Sequence, residues 1–375
     1  MGQLILQTQG VNILVVDDSQ PNLLIAKNVM ERYGIAVVTA LSGREAVEYV
    51  KEKEFDLIVL DCIMPEMSGY DTAVAIRALP GDKGRTPIVA YTSNHAEEAW
   101  SDLRDVGVTD VLEKPLDIVE LSKILMKYLA SGKMMDEQEI RRLLDLPKDR
   151  NAHEDTSELK KALLLIAGLD YAAGLHYAGG DDNSYLNVLK ATCKAMEEAG
   201  ERLEQYYNYK TQNGNMVTEK SLVRDYGCNG VRIDTHSMKG ICAGIGLTEF
   251  SKDSAVMERM AAEGDEISLL GDLKPYIIQL QGYQSALSEA IKPFLQEAAG
   301  SDEEWNPMEA DAYHALWETT IESIAEFDID AIQEGLRRLC VATEAGEKRD
   351  ALKKAIEASE MFDYTAVAEI MEQYR

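Results

Sequence analysis

Five short apolar runs, each followed by a longer segment of mixed polarity, fill the first 130 residues and most constrain the fold. The runs cover residues 13–16, 36–39, 57–60, 88–90 and 111–112. Apolar runs of this length are typical of strands buried on both faces. Their alternation with helix-like segments predicts an α/β doubly wound, five-stranded parallel sheet with helices on both faces. Ligands of such sheets bind beyond the carboxyl ends of the strands, so the residues that follow each run are the candidates for a site.

The remainder of the chain has a different pattern, in which strand-like runs disappear and helical spacing dominates. Apolar residues recur three or four positions apart in 186–207 and again in 280–294, which predicts long amphipathic helices. The polar, charged stretch 132–158 is typical of a linker. We therefore predict an α/β domain over 1–131, a linker over 132–158, an all-α domain over 159–298 and a C-terminal all-α region over 306–375.

Charge and cysteine content exclude several classes of function. The 375 residues carry a formal net charge of −28, which argues against binding to nucleic acid or to an anionic membrane surface. Apolar runs stay shorter than the ~18 residues that a membrane span needs, so we expect no membrane insertion. Five cysteines without CxxC spacing are typical of reduced thiols, and we expect a cytoplasmic protein.

Charged and hydroxyl side chains follow four of the five predicted strands. Asp17 and Asp18 come after the first, Asp61 after the third, Thr92 at the end of the fourth and Lys114 after the fifth. Singly, each has an ordinary explanation as a solvated turn, a helix cap or a loop; together, in order, they indicate a site. Three converging carboxylates repel one another unless a cation compensates, and oxygen-only ligands favour Mg²⁺. Beside that cation Asp61 is a candidate nucleophile for a phosphoryl group, which Lys114 and Thr92 would contact.

A second candidate site lies in the helical part. On a helix, His236, Lys239 and Gly240 share one face. The apolar positions of the opposite face are Met238, Ile241 and Ile245. We therefore expect the apolar face to pack inward and His236 to stand exposed, where its imidazole can carry a phosphoryl group with help from Lys239. The alternative is an exposed histidine without function, with Gly240 a tolerated defect in the helix.

The first 130 residues resemble a response regulator receiver domain over about 11–130. The motifs are VVDDS at 15–19, LDCIMPEMSG at 60–69, YTS at 91–93 and EKP at 113–115. The resemblance implies a flavodoxin-like fold with Asp61 as the phosphoacceptor. It also implies that Asp18, Asp61 and the Ile63 carbonyl ligate Mg²⁺, that Asp17 assists through water, and that the Lys114–Pro115 bond is cis. Where the family often has an aromatic switch residue, this chain has Val111.

Residues 160–298 resemble a histidine phosphotransfer (Hpt) domain. The resemblance is carried by HSMKG at 236–240, followed by GIGL at 244–247 and by Met257-Glu258. It implies a four-helix bundle whose His236 carries the phosphoryl group, with Lys239 and Gly240 beside it. A receiver followed by an Hpt module is the order found at the C-terminus of bacterial hybrid sensor histidine kinases.

The two resemblances together imply phosphorelay signalling, with Asp61 and His236 exchanging phosphoryl groups with each other or with partners. The expected partners are a histidine kinase, a downstream response regulator, or both. Neither a GxxxxGK[ST] loop nor a Gly-rich ATP-lid segment occurs, so whether this phosphotransfer component counts as an enzyme stays open. Two alternatives remain: a phosphorylation-switched scaffold whose helical modules only dock partners, and a C-terminal fragment of a hybrid histidine kinase.

Overall fold

The computed structural model describes residues 10–31, 34–92, 102–129, 157–211, 220–299, 308–326, 329–344, 346–360 and 364–374. Most of the predicted linker lies outside the described residues. Helix formation begins again at Glu158, after Ser157, whose hydroxyl accepts a hydrogen bond from the Lys160 amide.

A parallel sheet forms the centre of the α/β segment, as the sequence predicts. Its five strands in the described residues are β1 (Asn12–Val16), β2 (Ala36–Ala40), β3 (Leu57–Asp61), β4 (Ile88–Thr92) and β5 (Asp110–Glu113), in the order β2-β1-β3-β4-β5. Every residue of β3 and β4 is buried, because central parallel strands are covered on both faces.

Helices cover both faces of this sheet. They are α1 (Gln20–Glu31), α2 (Gly43–Glu52), α3 (Gly69–Arg77), a 3-10 turn (Lys83–Arg85) and α4 (Ile118–Tyr128). Ser42 and Ser68 cap α2 and α3 by accepting hydrogen bonds from the amides of Glu45 and Asp71. Such caps satisfy amides that the first helical turn leaves unpaired.

The next segment is helical, as its periodicity predicts. It contains α5 (Glu158–Leu163), α6 (Tyr171–Tyr177), α7 (Asp182–Thr211), α8 (Lys220–Gly244), α9 (Thr248–Glu263) and α10 (Glu266–Ala299). Gly227, with φ 49° and ψ −163°, breaks α8 into two parts. Met238, Ile241 and Ile245 are buried, as expected of the apolar face of α8.

The chain divides into two compact units, Met1–Lys292 and Pro293–Arg375. The α/β segment and the helices that follow it therefore belong to one unit. The predicted domain limits within it stay predictions.

The second unit contains the helices α11 (Ala310–Glu326), α12 (Ile329–Ala342), α13 (Glu347–Glu360) and α14 (Tyr364–Gln373). Its core includes Trp317, over whose ring the Lys348 ammonium lies at 4.1 Å from the centroid. This contact is a cation–π interaction that packs α13 against α11.

Candidate functional site

Three carboxylates meet at the carboxyl edge of the sheet. β1 pairs with β3 in parallel, with Val16 opposite Leu60, so the residues that follow both strands reach the same edge. Ligand oxygens of Asp17, Asp18 and Asp61 all lie within 4.8 Å of one another. The structure thus brings together the three acids that the sequence singled out.

Lys114 bridges two of these acids from the end of β5. Its Nζ lies 2.5 Å from Oδ2 of Asp17 and 2.8 Å from Oδ2 of Asp61, and the Lys114–Pro115 bond is cis. Burial opposes the charge on Lys114, but the two carboxylates outweigh it and raise the pKa of its ammonium. Burial likewise acts to raise the pKa of Asp61, but Lys114 and His236 lower that pKa to about 2. Asp61 is therefore an ionised carboxylate.

For Asp18, burial and repulsion outweigh the attraction of Lys114 and His236. Its Oδ1 is buried without a hydrogen-bond partner among the described residues. Burial, followed by repulsion from Asp17 and Asp61, raises the pKa of Asp18 to about 8. An orphaned carboxylate oxygen beside two further carboxylates suits a hard divalent cation, which accepts an oxygen-only ligand set. The acidic site therefore has the donor chemistry that Mg²⁺ requires.

Thr92 and Ile63 lie at the same edge. Thr92 ends β4 one residue beyond Tyr91, the partner of Asp61 in the sheet, and its carbonyl accepts a hydrogen bond from the Lys114 amide. The Ile63 amide donates to Oδ1 of Asp61 at 3.3 Å. The expected role of the Ile63 carbonyl as a metal ligand stays a prediction.

His236 lies on α8, and its ring is held by Glu258 of the next helix. Nδ1 of His236 is 2.7 Å from Oε1 of Glu258, whose Oε2 accepts a hydrogen bond from Nζ of Lys239 at 2.6 Å. Burial acts to raise the pKa of Glu258, but His236 and Lys239 lower it to about 2. An ionised carboxylate only accepts hydrogen bonds, so Nδ1 carries a proton and Nε2 is the ring atom left for chemistry.

His236 is not exposed, and the sequence-based expectation is wrong on this point. Its side chain is 1% exposed, as is that of Asp61, and Nε2 lies 3.7 Å from Oδ1 of Asp61. Nε2 has no hydrogen-bond partner among the described residues. The amphipathic spacing correctly predicts that His236 faces away from the core of its own bundle. The α/β segment, however, covers that face. Each of the two candidate nucleophiles is buried against the other.

The α/β segment that carries the acidic site also matches a known protein family in sequence. Residues 13–126 match the model of the response regulator receiver domain. They form a response regulator receiver domain.

Curated proteins similar to this chain include a sensor protein and a hybrid histidine kinase. The chain is 28% identical over 191 residues to the aerobic respiration control sensor protein ArcB of Escherichia coli, a match that covers 51% of this chain and 24% of that protein. It is 36% identical over 126 residues to hybrid signal transduction histidine kinase G of Dictyostelium discoideum, covering 33% of this chain and 4% of the kinase. The chain thus spans about a quarter or less of the length of these two relatives.

Solved structures similar to the receiver domain include a chemotaxis protein and the receiver domain of a sensor kinase. One is the chemotaxis protein CheY4 of Vibrio cholerae, with 32% identity, a TM-score of 0.30, and coverage of 32% of this chain and 98% of that one. The other is the receiver domain of a sensor histidine kinase from Pseudomonas aeruginosa, solved with a magnesium ion coordinated in its active site cleft, with 30% identity, a TM-score of 0.30 and the same coverages.

Among the described residues, no helix has the length and apolarity to cross a bilayer.

Helix α1 of the receiver domain positions the Asp17 carboxylate and also contacts the helical segment. Asn22 donates through Nδ2 to Oδ1 of Asp17 at 3.1 Å. A Cβ atom placed on Gly240 would lie 3.3 Å from Nδ2 of Asn22 and 3.5 Å from Cδ of Lys114. The lack of a side chain at Gly240 therefore lets the receiver site approach His236 closely.

Sequence reasoning missed the residues of α1 and the role of Glu258. α1 is buried on two faces, because one face packs on the sheet and the other on the helical segment. Its buried residues are Pro21, Asn22, Leu23, Leu24, Ile25, Ala26, Val29 and Met30. The signal was present as four consecutive apolar residues, 23–26, since four apolar residues in a row occupy more than one face of a helix. Glu258, by contrast, is brought to His236 only by the packing of α9 on α8.

Asp234 anchors the same part of α8 two residues before His236. Arg202 of α7 donates to both of its oxygens, at 2.7 Å from Nη2 to Oδ1 and 3.1 Å from Nε to Oδ2. Tyr226 also donates to Asp234. A two-pronged arginine–carboxylate contact fixes orientation as well as distance, so it holds α8 in register with α7 close to His236.

Proposed function

We propose that this chain is a phosphorelay component in which the receiver carboxylate Asp61 and the imidazole of His236 exchange a phosphoryl group. The observation that supports this proposal most directly is the 3.7 Å distance between Nε2 of His236 and Oδ1 of Asp61. Phosphoryl transfer needs its attacking and leaving atoms on opposite sides of one phosphorus atom. Two nucleophiles that face each other directly meet this requirement without any further partner.

Transfer from Asp61 to His236 is chemically balanced with the residues present. The Nε2 lone pair attacks phosphorus, a P–N bond forms, the P–Oδ1 bond of the acyl phosphate breaks, and its electron pair returns to the Asp61 carboxylate. The proton on Nδ1 stays, and the Glu258 carboxylate stabilises the positive charge that the ring gains. The reverse transfer follows the same path, with Oδ1 of Asp61 as the attacking atom.

Protonation of His236 determines whether its Nε2 can attack the phosphorus atom of phosphorylated Asp61. Burial acts to lower the pKa of His236, but the carboxylates of Asp61 and Glu258 outweigh it and raise the pKa. In the unphosphorylated pair the ring therefore binds a second proton, at Nε2, more readily than a free imidazole does. That proton must leave before Nε2 can attack phosphorus.

Cations and donors around Asp61 compensate the charge on the transferring group. Asp17, Asp18 and Asp61 would hold Mg²⁺, with the Ile63 carbonyl as a further ligand, and the ion would supply charge neutralisation for the phosphoryl oxygens. Lys114, already beside Asp61, offers its ammonium to the same oxygens, and Thr92 offers a hydroxyl hydrogen bond. On the other side, Lys239 supports the phosphoryl group on His236, and Gly240 leaves space for it.

The helical residues 159–298 then serve as an Hpt domain that follows the receiver. Support comes from the bundle formed by α7 to α10 and from the position of His236 on the face of α8 that meets the receiver domain. Receiver domains exchange phosphoryl groups with histidine kinases and phosphotransfer proteins, and we propose such a kinase, a downstream response regulator, or both as partners. The match to ArcB, longer than the receiver domain itself, is consistent with a piece of a hybrid histidine kinase.

The test is phosphorylation of the whole chain by acetyl phosphate with Mg²⁺, followed by the acid and base lability of the label. An acyl phosphate on Asp61 is labile in base, whereas a phosphoramidate on His236 is labile in acid and stable in base. We expect both labels in the wild type, only the acyl phosphate in His236→Gln, and neither in Asp61→Asn. A base-stable label in His236→Gln, or a wild type labelled on Asp61 alone, would contradict the proposal and favour a switched scaffold.

A further inference from the structure

A cleft lies beside the acidic site, between the receiver domain and the helices α7 and α8. It has a volume of about 270 Å³. Met238 and Ile241, which are buried, line one part of it. Lys194 and Glu198 of α7 line another part, with side chains that are 60% and 53% exposed. The cleft therefore runs from the surface of α7 into the interior of the unit.

Of the three acids, Asp18 lines this cleft. Asp17 and Asp61 are 0% and 1% exposed, and Nε2 of His236 lies against Asp61. An ion or a water molecule in the cleft can thus reach Asp18 without any separation of the two segments. It cannot reach the side of Asp61 that His236 covers.

Ser19, next to Asp18, brings an unpaired hydroxyl group to the cleft. Ser19 is 6% exposed, and its Oγ, like Oδ1 of Asp18, has no hydrogen-bond partner among the described residues. The Ser19 amide donates to Oδ1 of Asp17 at 2.9 Å, which fixes the backbone that carries the hydroxyl. Burying a polar atom without a partner is unfavourable, so two such atoms in adjacent residues indicate a polar occupant.

A hydrated divalent cation fits this cleft in size and in charge. Mg²⁺ keeps several waters when it binds to a protein, and six waters at about 30 Å³ each occupy about 180 Å³, which is less than the volume of the cleft. Arg202 and Asp234, which also line it, neutralise each other, and Lys194 and Glu198 lie 4.0 Å apart. The carboxylate of Asp18 is left as the charge that attracts an ion.

We propose that a hydrated Mg²⁺ ion enters and leaves the acidic site through this cleft while His236 covers Asp61, and that the Ser19 hydroxyl accepts a hydrogen bond from one of its waters. The inference rests on the proposed function, from which it takes the Mg²⁺ site. It adds the route of the ion and a residue that holds its hydration shell. Helix α7 is then one wall of the metal route into the receiver domain.

Ala195→Phe tests the route in the full-length chain. Ala195 lies on α7, lines the cleft and is partly exposed, so a phenyl ring there narrows the passage. Asn187→Phe is the matched control, because Asn187 is an exposed residue of the same helix that does not line the cleft. Mn²⁺ is the probe, because it binds the same oxygen ligands as Mg²⁺. Its exit rate is measured by mixing the loaded protein with an excess of a fluorescent metal chelator.

We expect Mn²⁺ exit to slow by about tenfold or more in Ala195→Phe. The remaining route requires the two segments to separate, and a minor state of this kind is about 0.1–10% populated. Asn187→Phe should release Mn²⁺ at the wild-type rate. Diethyl pyrocarbonate modification of His236, located by mass spectrometry, reports whether the segments stay closed. Unslowed exit in Ala195→Phe with His236 still protected would overturn the inference; where the ring parts the segments, Ser19→Ala decides, since it adds no bulk.

Ser19→Ala tests the hydroxyl group. The dissociation constant of Mn²⁺, measured from the electron paramagnetic resonance signal of the free ion, is expected to rise about three- to tenfold, the usual weight of one hydrogen bond. The melting temperature without metal should not fall, whereas a merely structural role of the hydroxyl would lower it. Thr39→Val is the control, because Oγ1 of Thr39 is also buried without a partner among the described residues but lies outside the cleft lining. An unchanged dissociation constant in Ser19→Ala, or an equal rise in Thr39→Val, would contradict the role of Ser19.

These readouts involve no phosphoryl chemistry, so the two proposals can fail separately. If Mn²⁺ exit depends on the cleft while acetyl phosphate gives no transfer from Asp61 to His236, the metal route stands and the proposed function fails. If transfer occurs while Ala195→Phe releases Mn²⁺ at the wild-type rate with His236 protected, the proposed function stands and the metal route fails.

Discussion

Glu258 is the residue that holds the His236 ring in place. One of its oxygens holds Nδ1 of His236 and the other holds the Lys239 ammonium. A single buried carboxylate thus fixes the tautomer of the ring and the position of the cation one helical turn away. Its ionisation is linked to stability, because the pKa of the folded form lies below the ordinary value of 4.5.

Glu258→Gln is expected to reduce the fall in the free energy of unfolding as the pH is lowered. Because the folded pKa is about 2, the carboxylate stabilises the wild type fully above pH 4.5, and this contribution is lost as pH falls toward 2. The contribution is at most about 3 kcal/mol. Urea unfolding between pH 5 and pH 2 should show a shallower fall in the variant. Glu249→Gln, on the exposed side of α9, should follow the wild type; a wild-type slope in Glu258→Gln would contradict the prediction.

Lys114→Met tests the charge balance of the acidic site. The change leaves the buried carboxylates of Asp17 and Asp61 without their shared cation, which costs about 3–5 kcal/mol in comparable buried pairs. We expect a lower melting temperature without Mg²⁺ and a larger gain on adding Mg²⁺ than in the wild type. Lys127→Met, whose ion pair with Asp110 is exposed, should respond to Mg²⁺ as the wild type does. An equal gain in melting temperature on adding Mg²⁺ to both variants would contradict Mg²⁺ binding at this site.

Single residues show where the sequence was sufficient and where it was not. Asp17, Asp18, Asp61 and Lys114 could be predicted because strand ends of a parallel sheet share an edge, whatever else the chain does. The burial of His236 could not, because helical spacing shows which face leaves the bundle but not what covers that face. Only long-range packing supplies that information.

At the scale of elements, the turn between α8 and α9 fixes the helix that carries His236. Gly246 has φ 89°, and a Cβ atom there would clash with the backbone carbonyl of Asp170. Its own carbonyl accepts a hydrogen bond from the Asp170 amide at 3.0 Å. The start of α6 is thereby attached to the end of α8.

Gly246→Ala is therefore expected to destabilise the chain more than Gly264→Ala does. Gly264, after α9, has φ 72° with nothing near its added Cβ, so its replacement costs only the backbone strain of about 1–2 kcal/mol. The Gly246 variant adds a collision with main chain, for a further cost of about 1–3 kcal/mol. Thermal unfolding of both variants measures the difference. Equal losses would mean that the close approach to Asp170 has no energetic weight.

The strands and helices also show how much of the secondary structure the spacing of apolar residues can predict. The five strands and the long helices α7 and α10 follow the predicted pattern, because burial on fixed faces dictates their residue spacing. The kink at Gly227 and the burial of α1 on both faces were not predicted. The first depends on one backbone conformation, and the second on a contact between segments more than 150 residues apart.

At the scale of the whole molecule, the receiver domain and the helices that carry His236 lie within one compact unit. The proposed exchange between Asp61 and His236 would then be an intramolecular event. Its rate would be governed by the local geometry of the pair and not by the concentration of chains.

Two complementary full-length variants test this intramolecular route. His236→Gln retains only Asp61, and Asp61→Asn retains only His236, so label passes between them only from chain to chain. At micromolar protein we expect this transfer to be on the order of 100-fold slower than in the wild type and to rise with concentration. The wild-type rate should not change on dilution. A wild-type rate that falls in proportion to concentration would show that exchange occurs between molecules.

The mutual burial of Asp61 and His236 also bears on how long a signal persists. Acyl phosphates are lost by attack of water, and a carboxylate that is 1% exposed offers water almost no approach. If Asp61 is phosphorylated as proposed, hydrolysis would have to wait for the two surfaces to separate. The lifetime of the phosphoryl group would then be set by the frequency of that opening.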